Sequence, residues 1–167
     1  MADYYTPTVV QQTIQKADMT PLERMLLSCI FDAERNGDGW YFFSEVGPAD
    51  MITVAHAALE AALAASQAAG PNAANRIVTE HLAKLDASVP PSHHVDLGFT
   101  TTSWEFILQD IVRRSSTLKY VTAVSSFACS RMRADGFGGA VVVISAEKIV
   151  GKSKNDLLEE FIALVAP

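Results

Sequence analysis

Residues 102–144 read TSWEFILQDIVRRSSTLKYVTAVSSFACSRMRADGFGGAVVVI, and this stretch decides the fold class. Thr102 and Glu105 have the spacing of a capping box, in which each side chain satisfies a backbone donor at a helix start. Trp104, Ile107, Leu108, Ile111 and Val112 then recur at the intervals of one buried helix face. Arg113 and Arg114 fall in the last turn, where positive charge complements the helix dipole. From Lys119 to Arg131 the residues are β-branched, aromatic or small, without proline or glycine, and predict a long strand. Val121, Ala123, Ser125, Phe127 and Cys129 share one face of it. Tyr120, Thr122, Val124, Ser126 and Ala128 share the other. Asp135-Gly136-Phe137-Gly138-Gly139 supplies turn residues. Ala140 to Ile144 is apolar at every position, the pattern of a strand covered on both faces.

Outward from this unit, Thr20-Pro21-Leu22-Glu23 combines an N-cap, a proline at the first helical position and a second capping box. Leu22, Met25, Leu26, Cys29 and Ile30 form the stripe of that helix, and Asn36-Gly37-Asp38-Gly39 ends it. Trp40 to Phe43 reads as a strand, with Met51 to Val54 returning as its hairpin partner after Gly47-Pro48. Ala55 to Ala69 is alanine-rich and strongly helical, and a second helix follows from Ala73 to Leu85. Residues 1–17 have little periodicity and suit an N-terminal arm or edge strand. Pro90-Pro91 marks 86–95 as a surface loop, and Val95 to Phe99 suits a short strand. Ser145 caps a turn of helix at 146–150. Ser153 and Asp156 open a last helix, whose expected buried face is Leu157, Leu158, Phe161, Ile162 and Val165. The expectation is one globular α+β domain over 1–167. A small, mainly antiparallel sheet of about four to five strands packs with about five to six helices in two or three layers.

The chain has 167 residues and a formal charge of −6. All of that excess lies at one end: residues 1–60 carry nine acids against three bases, while 61–167 carry ten of each. An acidic third argues against direct binding of nucleic acid or an anionic membrane. The start MADYYTPTVV lacks the basic and apolar regions of a secretory signal. No apolar run reaches the roughly 18–20 residues that span a bilayer. Cys29 and Cys129 read as small buried hydrophobes of a reducing compartment, so a cytoplasmic location is expected.

Several strings resemble chemical motifs. Glu34, Asn36, Asp38 and Glu45 have the spacing of ligands 1, 3, 5 and 12 of a calcium-binding EF-hand loop. Against this, position 1 is Glu, Trp40 to Phe43 is strand-forming, and Gly47-Pro48 blocks an exiting helix. Gly151-Lys152-Ser153 matches the end of a phosphate-binding loop, but the required glycine is replaced by Ala146. His93, His94 and Asp96, with His56 or His81, lack any established metal-site spacing. Cys129, with Arg131 two residues on, is a candidate nucleophile beside the glycine turn at 135–139; a core cysteine is the plainer reading. Arg113, Arg114, Lys119, Arg131 and Arg133 are clustered in sequence. A straight strand would hold Lys119 and Arg131 about 40 Å apart, so they make two small basic spots and no single patch.

Four strings, DMTPLER at 18–24, FDAE at 31–34, GDGWYFF at 37–43 and SWEFI at 103–107, resemble an uncharacterised family of small proteins from proteobacterial plasmids and integrative elements. The resemblance implies no activity, cofactor or catalytic residue. It implies a context in which small acidic accessory proteins bind host proteins, including defence machinery. The leading expectation is therefore a non-enzymatic protein-binding protein, an acidic inhibitor of a nucleic-acid-handling or defence complex. Its interaction residues would be Glu34, Asp38, Trp40, Tyr41 and Glu45, with a basic protein as partner, no cofactor, no membrane, and room for a homodimer. The alternatives are a small enzyme built on Cys129 and a calcium-tuned module at 34–45.

Overall fold

The computed structural model describes residues 3–85, 90, 92–99, 104–131, 133 and 135–165. Its elements run β1 (Tyr4–Tyr5), β2 (Thr8–Val10), β3 (Ile14–Gln15), α1 (Pro21–Ile30), β4 (Asp32–Asn36), β5 (Gly39–Ser44) and β6 (Met51–Ala55). They continue α2 (His56–Ser66), α3 (Ala73–Leu82), β7 (His94–Gly98), α4 (Trp104–Arg114), β8 (Tyr120–Cys129), β9 (Phe137–Ser145), β10 (Ile149–Ser153) and α5 (Lys154–Val165). The class is α+β, with a mainly antiparallel eight-stranded sheet and a separate two-stranded ribbon. The sheet is thus larger than the expected four to five strands.

The main sheet has the order β10-β9-β8-β2-β5-β3, with β1 also on β8 and β4 also on β5. Part of the excess is β1 to β3 in the first fifteen residues, two or three residues long and too short to show periodicity; the rest is β4 and β10, on stretches expected as helix or helix end. Residues 8–10, expected as an arm or edge, pair on both sides: Val9 with Phe43 and with Val124. β8 and β9 form the hairpin that the glycine turn predicts, from Tyr120 opposite Ser145 to Ala128 opposite Phe137.

The side chains of β8 divide as the alternation predicts. Val121 and Ala123 face the core, along with Val10, Ile14, Phe42 and Ile144 of neighbouring strands. Against this face pack α1, through Leu22, Leu26, Leu27 and Ile30, and α4, through Ile107, Leu108, Ile111 and Val112. Each such side chain, fully buried, contributes about 1.5–3 kcal/mol. The ribbon β6–β7 and helices α2 and α3 complete the same core with Ile52, Val54, Leu97, Leu59 and Val78.

The start of α1 is closely satisfied. Thr20 Oγ1 accepts from Glu23 N–H, and Glu23 Oε2 accepts from Thr20 N–H at 2.9 Å, the predicted capping box. Leu22 N–H donates to Ser66 Oγ at 2.9 Å, so the end of α2 meets another of the helix's unpaired donors. The box expected at Thr102 falls outside the described residues.

Four further expectations are corrected. α1 ends at Ile30, and Asn36 to Gly39 is a two-residue hairpin turn with Gly37 at φ 61°, as a II′-type turn demands. β6 pairs with β7, Val54 opposite Val95, and not with β5, whose edges are already occupied by β2, β3 and β4. Residues 149–153 are a strand, not a helical turn: Ser145 closes a tight β9–β10 turn, its N–H donating to Lys148 O and its hydroxyl accepting from Lys148 N–H. Of the loop expected at 86–95, residues 86–89 and 91 are outside the described set, and His94 and Val95 already belong to β7.

Candidate functional site

The hairpin β4–β5 brings together most of the predicted interaction residues. Its register sets Glu34 opposite Tyr41 and Asp32 opposite Phe43. Cross-strand partners share a face, so Asp32, Glu34, Tyr41 and Phe43 stand together on the side turned away from the core. Tyr41 and Phe43 stack at 5.4 Å between ring centroids. Asp32, Glu34, Asp38 and Glu45 are exposed, and among the described residues none of the four is in an ion pair. Asp38 sits in the turn, and Glu45 follows β5 at the open end of the hairpin.

Trp40 does not belong to this surface. It lies opposite Arg35 on the other face, packs against the core, and carries the Arg24 guanidinium 5.9 Å from its ring centre. Phe42 is wholly buried. The strand is therefore not uniformly exposed, and period-2 alternation is the signal that separates Tyr41 and Phe43 from Trp40 and Phe42. Sequence reasoning missed Asp32 because the end of α1 was placed too late, and Phe43 because the alternation within the strand was not applied.

The hairpin also removes the geometry of a calcium loop. Glu34 and Asn36 lie on a strand, and Glu45 falls four residues beyond the level of Glu34, about 13 Å along the sheet. A bidentate ligand at Glu45 cannot close on the same ion. Among the described residues no group of three or more His, Cys, Asp or Glu side chains could hold a metal. His56, His93 and His94 meet at one end of the ribbon, where His94 pairs with Ala55 and His56 N–H donates to His93 O, while His81 lies apart on α3.

Cys129 ends β8 and is buried, its N–H donating to Gly136 O at 2.7 Å. Arg131 lies past the strand and is exposed. A cavity of about 260 Å³ beside the glycine turn is lined by Ser125, Phe127, Asp135, Phe137 and Lys154, and Cys129 is not among its lining residues. Cys29, expected in the core, is exposed, although partial burial of its thiol still pushes its pKa up. Three of the five clustered basic residues are paired. Arg113 pairs with Asp110, Arg114 with Glu23, and Arg133 lies 3.7 Å from Asp135. Lys152 of the phosphate-loop-like string lies on β10 and pairs with Glu160.

One surface appears that the sequence reading assigned to the core. No residue of α5 is buried: Leu157, Leu158, Phe161, Ile162, Leu164 and Val165 are all exposed. Val141, Val143 and Val150 on β9 and β10 are exposed beside it. The stripe is present, but among the described residues no element buries it. Among the described residues, no helix is long and apolar enough to cross a membrane.

No protein-family model, curated protein or solved structure matches the chain.

Proposed function

We propose that the chain is a non-enzymatic protein-binding protein that docks a basic partner on the outer face of the β4–β5 hairpin. The observation that supports this reading is the register that sets Asp32 and Glu34 beside the stacked Tyr41 and Phe43, with no cation on that face of β4. Unpaired acids supply steering and orientation, and half-buried aromatic rings supply contact area at small entropic cost. A surface of this kind competes with nucleic acid for a basic groove, which fits an inhibitor of a nucleic-acid-handling or defence complex.

The test is affinity capture from host lysate with the wild-type chain and with the triple variant Glu34→Lys, Asp38→Lys, Glu45→Lys. The expected result is a small set of basic proteins retained by the wild type, released by raised salt, and lost with the variant. Capture that is the same for both chains would sink the reading.

A further inference from the structure

We infer that the face formed by α5, β9 and β10 is a self-association surface, covered in solution by a second copy of this chain. This is independent of the hairpin reading and uses the opposite end of the sheet.

The argument begins with α5 itself. Leu157, Phe161 and Leu164 and the adjacent row Leu158, Ile162 and Val165 make a broad apolar stripe, yet no residue of the twelve-residue helix is buried. A helix of this length is marginal in water by propensity alone, and amphipathic helices gain most of their stability from packing. Its start is well made: Asp156 Oδ2 accepts from Ser153 N–H at 2.6 Å, and Ser153 Oγ accepts from Asp156 N–H. Lys152 on β10 and Lys154, whose ammonium donates to Phe137 O, tie it to the sheet. The helix is anchored and aimed, but among the described residues its apolar side is covered only in part, where its first turns lean over β9 and β10.

The sheet beside it has the same character. The cross-strand row Val150–Val143 and the row Lys152–Val141–Val124 turn their side chains away from the core. Val124, Val141, Leu157, Leu158 and Phe161 line an open apolar groove of about 550 Å³ between helix and sheet. With Val143, Val150, Ile162, Leu164 and Val165 they make a patch whose exposed apolar residues run from 39% to 81% open, on the order of several hundred Å² in all. A standard stable interface takes about 800 Å² from each partner, and isolated apolar patches this large are rare on monomers.

Three features select a second copy as the occupant. First, the chain carries both halves of the fit. The first turns of α5 wall the groove, while Ile162 and Val165, three residues apart on one side of the helix, lie beyond its lining as a free apolar ridge, with Leu164 exposed on the other edge of the stripe. A two-fold axis seats each ridge in the other chain's groove, the isologous arrangement of most homodimers. Second, the charges nearly balance here: Lys148, Lys152 and Lys154 stand with Glu147, Asp156, Glu159 and Glu160, so two acidic chains meet without the excess held in residues 1–60. Third, Lys148 and Lys152 at the β10 edge oppose simple strand-to-strand extension, which leaves the helix and groove as the contact.

The test is sedimentation equilibrium of the full chain at several concentrations. A dimer of the 18.0 kDa chain is expected to have twice that mass. The variant Phe161→Asp/Leu164→Asp changes exposed residues only and is expected to halve the mass, with the near-UV spectrum of the core unchanged. The charge-reversed hairpin variant is expected to keep the wild-type mass, which separates this inference from the hairpin reading. Hydrogen exchange on the wild type removes any dependence on how the variant folds. Amide protection in 157–165 is expected to rise with protein concentration while that of α4 does not. A monomeric wild type, or protection of α5 independent of concentration, would overturn the inference and leave the face to a different protein or a lipid surface.

Discussion

Glu23 is wholly buried at the start of α1, 91 residues from the arginine that neutralises it. Its Oε2 accepts from Thr20 N–H at 2.9 Å and from Arg114 Nη2 at 2.5 Å, while its Oε1 is buried without a protein partner. The carboxylate thus caps α1 and clamps it to the last turn of α4. Removing one member of a buried ion pair costs about 3–5 kcal/mol, because the remaining charge stays out of water. Arg114 is 28% exposed, so water reaches the truncated site, and Arg114→Met is expected near the lower end, about 3 kcal/mol. The decisive comparison is the double variant. Glu23→Gln keeps an oxygen for Thr20 N–H but removes the charge, so Glu23→Gln/Arg114→Met should lose less than Arg114→Met alone, about 1–2 kcal/mol. Urea unfolding measures this. With a slope of about 1–3 kcal/mol per molar, the single variant moves the midpoint down by at least about 1 M, and the double variant recovers part of that shift. A double variant whose loss equals the sum of the singles would refute the claim that an uncompensated buried charge is the cause.

Ser66→Ala strands the Leu22 N–H and should cost about 1–3 kcal/mol, against almost nothing for Ser28→Ala on the exposed side of the same helix, both measured by urea unfolding. The Asp156 carboxyl is held below its ordinary 3.8, first by the Ser153 N–H, then by the Ser153 hydroxyl, and also by nearby Lys152. Its capping of α5 is therefore complete above about pH 4 and is lost as the pH falls through the lowered value. Hydrogen exchange in 154–158, corrected for intrinsic rates, should accelerate between pH 5 and pH 3 by more in the wild type than in Asp156→Asn. Native protein should titrate one thiol with Ellman's reagent, Cys29, more slowly than a free cysteine because burial raises its pKa; Cys129 should react only on unfolding. Equal rates for both would contradict the placement of β8.

Features whose cause lies within a few residues could be read from the sequence. Two capping boxes, Thr20 with Glu23 and Ser153 with Asp156, stand where the spacing places them. The β8–β9 hairpin follows from the glycine turn, and the inward row of β8 from alternation. What could not be read depends on distant partners. Thr8 to Val10 is an ordinary tripeptide until β5 and β8 flank it. Met51 to Ala55 has the composition of a partner for β5, but it finds β7 some forty residues on. Ser145 has the chemistry of either a helix cap or a turn closure, and local sequence does not choose between them. The late end assigned to α1 had the largest functional consequence: it produced a false calcium loop and hid Asp32 from the interaction surface.

The stripe of α5 shows the limit of periodicity as evidence. Leu157, Leu158, Phe161, Ile162 and Val165 mark an apolar face whether the cover is the same chain or another, since amphipathicity reports that a face needs burial and not what buries it. The fold makes the distinction, because the core closes around α1 and α4 with α5 outside it. It also separates the two surfaces. From β4 through β5, β2, β8 and β9 to β10 there are five strand spacings, about 24 Å. A charge change at Glu34 and an apolar change at Phe161 thus lie well beyond the range at which single substitutions couple, about 7–10 Å, and more than two Debye lengths apart at physiological salt. Partner capture and self-association can therefore be scored separately. The two surfaces share one face of the sheet, joined by the cross-strand row Asp32–Phe43–Val9–Val124–Val141–Lys152, and stand at its opposite edges.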